Sequence, residues 1–233
     1  TIFAISTSQP VIATGSAASL DGITVSTNAN PLTISGNTIY DLSNSAASAA
    51  VVVNGITHAS TTSVNNKIER NLIHSLKTAS GTSVQNGINI ANGICTVQNN
   101  VIRLGIDKDG NPLTGTIQIN GISKASSTSG TFGFFFNTVY IGGTGVSAGS
   151  VNTKAFNLVS HTTEDIRDNI FINLRTLTSP AVLHYALWLP AGISSNFTCD
   201  YNIYQVSTTD GKLARFGTTD LGTMGALQAS FPG

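Results

Sequence analysis

Charge is scarce in this chain. Lysine and arginine number 11 and aspartate and glutamate 11, so 9% of the 233 residues are charged, where an ordinary soluble domain carries about 25%. The formal net charge is zero, which leaves no basic stripe to neutralise a phosphate backbone and argues against nucleic acid as a partner. Long apolar runs are missing too. The most apolar stretch, 46–53, contains Ser48 and is far shorter than the roughly 18 residues that point to a membrane span. No charged segment followed by an apolar one opens the sequence at Thr1, so a signal peptide is expected to have been removed or to lie outside this stretch. Cysteine occurs twice, methionine once and tryptophan once.

What fills the chain instead is isoleucine, valine, serine, threonine, asparagine and glycine. With 40% hydrophobic residues, enough surface can be buried to offset chain entropy, and disorder is disfavoured. Self-similarity then sets the architecture. An asparagine followed by β-formers recurs at Asn37, Asn71, Asn100, Asn137, Asn169 and Asn202. Three positions before each stands Ile34, Ile68, Val97, Phe134, Ile166 or Cys199, and two positions after it Ile39, Ile73, Ile102, Val139, Phe171 or Tyr204. Half a period away runs a second column, Gly22-Ile23, Gly55-Ile56, Gly87-Ile88, Gly121-Ile122, Ala155-Phe156 and Ala186-Leu187.

Each unit therefore offers three short β-runs with inward apolar positions at period two, separated by Gly, Asn and Ser/Thr breaks. A unit this short cannot close a core alone, but stacked units can. The predicted fold is all-β: a right-handed parallel β-helix of about six or seven coils with a short C-terminal helix. It forms one domain over 1–233, with an irregular or first coil at 1–20, regular coils at 21–205 and a terminal extension at 206–233. The aligned asparagines are expected to form a ladder along one corner, tolerating left-handed backbone there and bonding amide to amide between coils. The rival is an antiparallel sandwich, since Asn54-Gly55, Asn86-Gly87 and Asn120-Gly121 also read as hairpin turns. Their recurrence at the coil period, rather than every 8 to 12 residues, favours the helix.

The pattern breaks in a few places. Residues 105–115 and 142–150 read as loops leaving the coil, the first candidates for partner contact. Near the end, Asp220 as a cap followed by Leu221, Met224 and Leu227 predicts a short helix.

Catalytic constellations are sparse. Glu164, Asp165 and Asp168 cluster in sequence, but paired carboxylates on neighbouring coils, as glycoside hydrolysis requires, are not evident. Arg167 and Asp200 share an outward column and read as a surface ion pair. Asp107, Asp109 and Asn111 carry the alternating oxygens of a weak calcium candidate, although Gly110 comes early and no closing Glu follows. His58, His74, His161 and His184 lack the spacing of a metal site. Tyr40, Tyr140, Tyr201 and Tyr204 are candidate stacking faces for carbohydrate. Cys95 and Cys199 fall three coils apart, about 14 Å at the strand spacing, beyond the roughly 7 Å that a disulfide allows. They are expected to be free, buried thiols. No catalytic residue, cofactor or firm metal site emerges.

The runs FFFNTVYIGGTG (134–145), VQNNVIRLGIDKDGN (97–111), IRDNIFINLR (166–175) and CDYNIYQ (199–205) resemble right-handed β-helix regions of large secreted surface proteins of Bacteroidota-type bacteria, over about residues 30–230. The resemblance implies export by type IX secretion and a C-terminal sorting domain. No such domain is visible, so the chain reads as an excerpt of a longer one. It implies no catalytic residue. The expected role is a non-catalytic extracellular or cell-surface scaffold, a stalk, adhesin or filament subunit associating with itself or with neighbouring repeats. The alternative is a carbohydrate-active enzyme or polysaccharide-binding module of the pectate-lyase-like type.

Overall fold

A computed structural model describes residues 2–3, 6–7, 20–26, 30–47, 50–147, 151–178, 182–193 and 195–230. The alternating apolar positions can be buried only if each level is covered by the next. Accordingly the chain winds into a parallel β-solenoid of about five turns. Its glycine face stacks Leu20–Val25, Val52–Ala59, Val84–Asn92, Gln118–Lys124, Lys154–Leu158, His184–Leu189 and Gly211–Phe216. The leading face, which runs into the asparagine corner, stacks Thr33–Ser35, Asn66–Glu69, Cys95–Gln98, Thr131–Phe135, Thr163–Arg167 and Phe197–Asp200. The trailing face leaves that corner as Ile2–Phe3, Thr38–Tyr40, Leu72–His74, Val101–Leu104, Thr138–Ile141, Ile170–Asn173 and Ile203–Val206. A three-stranded sheet of Ser6–Thr7, Ser43–Asn44 and Lys77–Thr78 closes the lower levels.

Every pairing between levels is parallel, which excludes the sandwich. The Asn-Gly pairs lie inside strands and make no hairpins. Glycine is required there by close approach: a Cβ on Gly55 would sit 2.5 Å from Ile73 Cγ2 and 2.6 Å from the Gly87 carbonyl. The apolar columns stack in register. From Ile56 through Ile88, Ile122, Phe156 and Leu187 to Ala214, the glycine-face column is fully buried. Rings replace isoleucine in the middle levels, where Phe156 meets Phe134 edge-on at 4.8 Å and Phe171 at 5.4 Å.

The asparagine ladder is continuous over six levels. Both the backbone N–H and the Nδ2 of Asn37 donate to Asn71 Oδ1 at 3.0 Å. The same pair of bonds links Asn71 to Asn100, Asn100 to Asn137, Asn137 to Asn169 and Asn169 to Asn202. Each Nδ2 from Asn71 onward also donates to a carbonyl of the preceding level.

The left-handed residue, however, is not the ladder asparagine. It is the residue before: Gly36, Arg70, Asn99, Phe136, Asp168 and Tyr201, with φ between 54° and 69°. The corner turns on that residue, whose side chain leaves toward solvent, so that the asparagine can hold its amide under the next level. Gly36, Asn99 and Asp168 are suited to this conformation; at the other three positions the corner imposes it.

Stacking also continues past residue 205, since Gly211–Phe216 pairs in parallel with His184–Leu189. Thr219–Leu221 then returns antiparallel to it, and the helix spans Met224–Ser230. Its cap is Thr223, whose Oγ1 accepts from Ala226 N–H at 3.2 Å. Asp220 is unavailable because it accepts from Tyr185 and Arg215. Leu221 and Leu227 join the core. Both cysteines are free thiols. Cys95 is buried, but Cys199, expected buried, is only half so, its Sγ 3.2 Å from Tyr204 Oη.

Replacing Asn137 by Ala would strip partners from the N–H and Nδ2 of Asn100 and from the Val97 carbonyl, all at a buried corner. Urea denaturation should show a loss of about 3 kcal/mol, against about 1 kcal/mol for Asn37→Ala at the half-exposed end of the ladder. Equal losses would refute a cooperative ladder.

Candidate functional site

The expected loop at 105–115 is anchored to the body. Asp107 Oδ1 accepts from the N–H groups of Asp109 and Asn111 at 3.0 and 2.8 Å, and Asn111 Nδ2 donates to Asp107 Oδ2. These bonds, led by the Asn111 N–H, hold the Asp107 carboxyl below its usual pKa. Asp109 pairs with Lys108. The three candidate calcium ligands thus form a hydrogen-bonded turn in which Asp107 serves its own backbone. Behind them lies Arg175, almost fully buried, donating to the carbonyls of Gly142, Leu113 and Gly115. Burial lowers its pKa to about 10. A guanidinium here serves as a three-way clamp between main-chain segments.

Glu164, Asp165 and Asp168 do not converge. Glu164 points inward, Asp165 outward, and Asp168 occupies the left-handed corner. Asp165 binds Arg167 through both oxygens at 2.6 Å, so the predicted Arg167–Asp200 pair gives way to a partner two residues away on the same strand. Asp200, although it is the register neighbour of Arg167, accepts instead from Tyr201 N–H.

Glu164 belongs to an interior charge network. Lys124 and Glu164 both have side-chain exposure of 0% and approach to 2.8 Å. The Lys124 ammonium also donates to Ser160 O and Thr162 Oγ1 and lies 4.2 Å from the Phe132 ring centre. Glu164 Oε1 additionally accepts from Thr162, and Oε2 faces His161 Nδ1. Burial opposes ionisation of Glu164, but the bonds and charge of Lys124, with His161 and the Thr162 N–H, outweigh it and hold the carboxyl below its ordinary range. Each member has its partners within the fold, as a buried ion pair requires.

The remaining histidines are held to different degrees, and the buried Nε2 of His184 has no hydrogen-bond partner among the described residues. His58 Nδ1 contacts Asn92 O at 2.7 Å and its Nε2 meets Asn66 Nδ2 at 2.8 Å. The carbonyl and the amide donor together fix a neutral tautomer. His74 stacks on Tyr40, with ring centres 5.0 Å apart. His184, buried, accepts from Thr153 N–H at Nδ1, and burial drives its pKa down to about 4. Among the described residues no group of three or more His, Cys, Asp and Glu is placed to hold a metal.

The four tyrosines fall on different surfaces. Tyr40 and Tyr140 share an outward column of the trailing face, three levels apart. Tyr201 stands 73% exposed at the corner of the last level. Tyr204 faces inward, stacked on Phe171. Tyr201 and Tyr204 do line one groove, about 970 Å³ in volume, between the last leading strand and the C-terminal helix, with Phe197, Asp200, Met224 and Leu227. Bonds that lower down run to the next level close here within the level. Tyr201 N–H is taken by Asp200, and Asn202 Nδ2 reaches Cys199 Sγ at 3.7 Å.

Sequence reasoning missed Lys124 and Arg175, and also a second ladder. On the glycine face Asn54 donates to Asp21 at 2.7 Å, Asn86 to Asn54 at 2.7 Å and Asn120 to Asn86 at 2.8 Å. A charged residue in the inward column of His58, Ile90 and Leu158 was the available signal for Lys124. Comparison of the chain with family models, curated proteins and solved structures gives no match.

Glu164→Gln should cost about 3 kcal/mol in denaturant unfolding at pH 7, because it leaves the Lys124 ammonium buried without a counter-ion. A carboxyl whose pKa is depressed by folding contributes stability above its unfolded pKa and loses it as pH falls through the folded value. The gap between wild type and variant should therefore narrow in acid. An unchanged gap down to pH 3 would mean that ionised Glu164 is not the source.

Proposed function

We propose that this chain is a non-catalytic extracellular scaffold, a stiff, nearly uncharged spacer such as the stalk of a surface protein or an adhesin. One observation carries the reading: the ladder asparagines and the buried Arg175 are spent on holding levels together. Asn71, Asn100, Asn137 and Asn169 bind up and down the ladder, Asn86 does the same on the glycine face, and Arg175 clamps main chain. Groups committed in this way have little freedom to bind and release a substrate. The low charge and the Ser, Thr and Asn coat suit a passive surface that resists nonspecific association. The likeness of 97–111, 134–145 and 166–175 to β-helix regions of Bacteroidota-type secreted proteins supports export to the cell surface, with type IX secretion as the route.

The last level bears on assembly. Tyr201 N–H, whose counterparts below donate to the next level, is taken by Asp200, and Thr219–Leu221 lies antiparallel beside the last glycine-face strand. A spacer within a larger surface protein is therefore preferred over a filament subunit stacked through this end. The second reading, a polysaccharide-binding module, rests on the terminal groove, where exposed Tyr201 stands beside Asp200.

Incubation with a panel of neutral and acidic polysaccharides, with and without calcium, should release no products. Light scattering after size exclusion should give a 24.1 kDa monomer. Turnover of any substrate would overturn the scaffold reading. Binding without turnover that is abolished by Tyr201→Ala would transfer the assignment to the groove.

A further inference from the structure

The second ladder ends at a lysine. Its column continues from Asp21, Asn54, Asn86 and Asn120 to Lys154, Tyr185 and Lys212. Each amide donates to the oxygen of the level below, so Lys154 would be the donor for Asn120 Oδ1. It does not act as one. Asn120 Oδ1 is buried and accepts no hydrogen bond from any described residue, while the Lys154 ammonium stands 4.5 Å from the ring centre of Trp188.

Arg215 presses on the same ring, its guanidinium carbon 4.7 Å from the centre. Tyr185 meets the ring edge-on at 4.9 Å. The nearby carboxylate, Asp220, is already shared, accepting from Tyr185 Oη at 2.9 Å and Arg215 Nη1 at 3.3 Å. Lys154 has neither a carboxylate nor a hydrogen-bond acceptor among the described residues, although it is largely withdrawn from solvent. Burial and the charge of Arg215 lower its pKa to about 8. Elsewhere in this molecule a withdrawn cation is compensated: Lys124 by Glu164, Arg175 by three carbonyls.

Among the described residues the Lys154 ammonium is compensated only by an aromatic face, and a largely withdrawn cation held in this way gains further from an anion. We propose that Lys154, with Arg215 as a second cation on the same Trp188 ring, binds the oxyanion of an acidic ligand, the carboxylate or sulfate of an acidic saccharide or small acid. The site is independent of the scaffold reading. A spacer could carry it to engage an acidic matrix, and its failure would leave the spacer untouched.

Trp188 is the single tryptophan of the chain, so its fluorescence reports on this site alone. The probes are polygalacturonate, dextran sulfate, monomeric galacturonate and neutral dextran, titrated at pH 6.5 and 9.5. Wild type should show a saturable emission change at pH 6.5 with the acidic probes and none with dextran. Affinity should fall at least tenfold at pH 9.5, where Lys154 is neutral, whereas Arg215 keeps its charge and Asp220 and Tyr185 remain bonded to each other. Lys154→Met should abolish the response, and Lys154→Arg should restore it and make it persist at pH 9.5. A response to galacturonate identifies a small acid as sufficient; a response confined to the polymers identifies an acidic polysaccharide. No saturable change with any acidic probe, or an identical titration in Lys154→Met, would overturn the proposal and leave Lys154 a strut against Trp188.

Discussion

The corner amide is the constraint on which this solenoid depends. Wherever a chain turns sharply inside a stack, its backbone N–H groups lose water before they find the partner that a straight strand would provide, and an unpaired buried donor costs about 1–3 kcal/mol. Here each ladder asparagine resolves the deficit one level down: its Oδ1 takes both the backbone and side-chain donors of its predecessor. The arrangement works only with every level in register. The same register stacks Ile39, Ile73, Ile102, Val139 and Phe171 on one another. Polar and apolar order are thus one requirement, and a slip in either would break both.

A sheet stack satisfied in this way has little need of surface charge, and the charges it does bury are local. Lys124 and Glu164 lie on different faces, 40 residues apart, and meet in the interior beside the 159–162 connection. The pair ties the glycine face to the leading face where loops leave the regular path, at Ser160 and Thr162. Arg175 does the same work between the 105–115 loop and the 142–143 turn. Buried charge marks where the repeat is interrupted and main-chain carbonyls need a long donor to reach them.

Much of this was legible in the residues because period-two burial and a recurrent asparagine are both read along one strand at a time. The six ladder positions and the three apolar columns follow directly from that reading. The left-handed column did not. Arg70, Phe136 and Tyr201 have no preference for positive φ, and only their common place before the asparagine identifies them. The Asn-Gly pairs were ambiguous for a related reason, since the dipeptide is compatible with a tight turn as well as with close packing of levels, and only the neighbouring Ile73 and Gly87 decide between them. The charge network and the Lys154 cluster were hidden because each joins residues from different levels or faces. Comparing columns rather than strands exposes both, as cations standing where neighbouring levels place neutral residues.

The two ladders end differently, and the difference follows from what stands at the last rung. On the asparagine corner the chain supplies substitutes from within the level: Cys199 in a column otherwise of Ile, Val and Phe gives Asn202 an acceptor, Tyr204 bonds that sulfur, and Asp200 takes the Tyr201 N–H. Cys199 and Tyr204 are polar replacements at positions where lower levels carry Ile, Val or Phe, whereas Asp200 stands in a column already polar at Ser35, Glu69 and Gln98. On the glycine face the ladder stops at Asn120, three levels before the stack does, and the next residue in line declines the vacant oxygen in favour of an indole. Termination that serves only the solenoid would resemble the first case. A ladder interrupted in mid-stack, with an acceptor unpaired among the described residues beside an ammonium that only an indole faces, carries a cost that neighbouring levels show to be avoidable by a single asparagine. An unpaired atom alone does not mark such a position, since His184 Nε2 and Asp210 Oδ1 share that state; its coincidence with an ammonium facing only an indole is what the proposed acidic ligand answers.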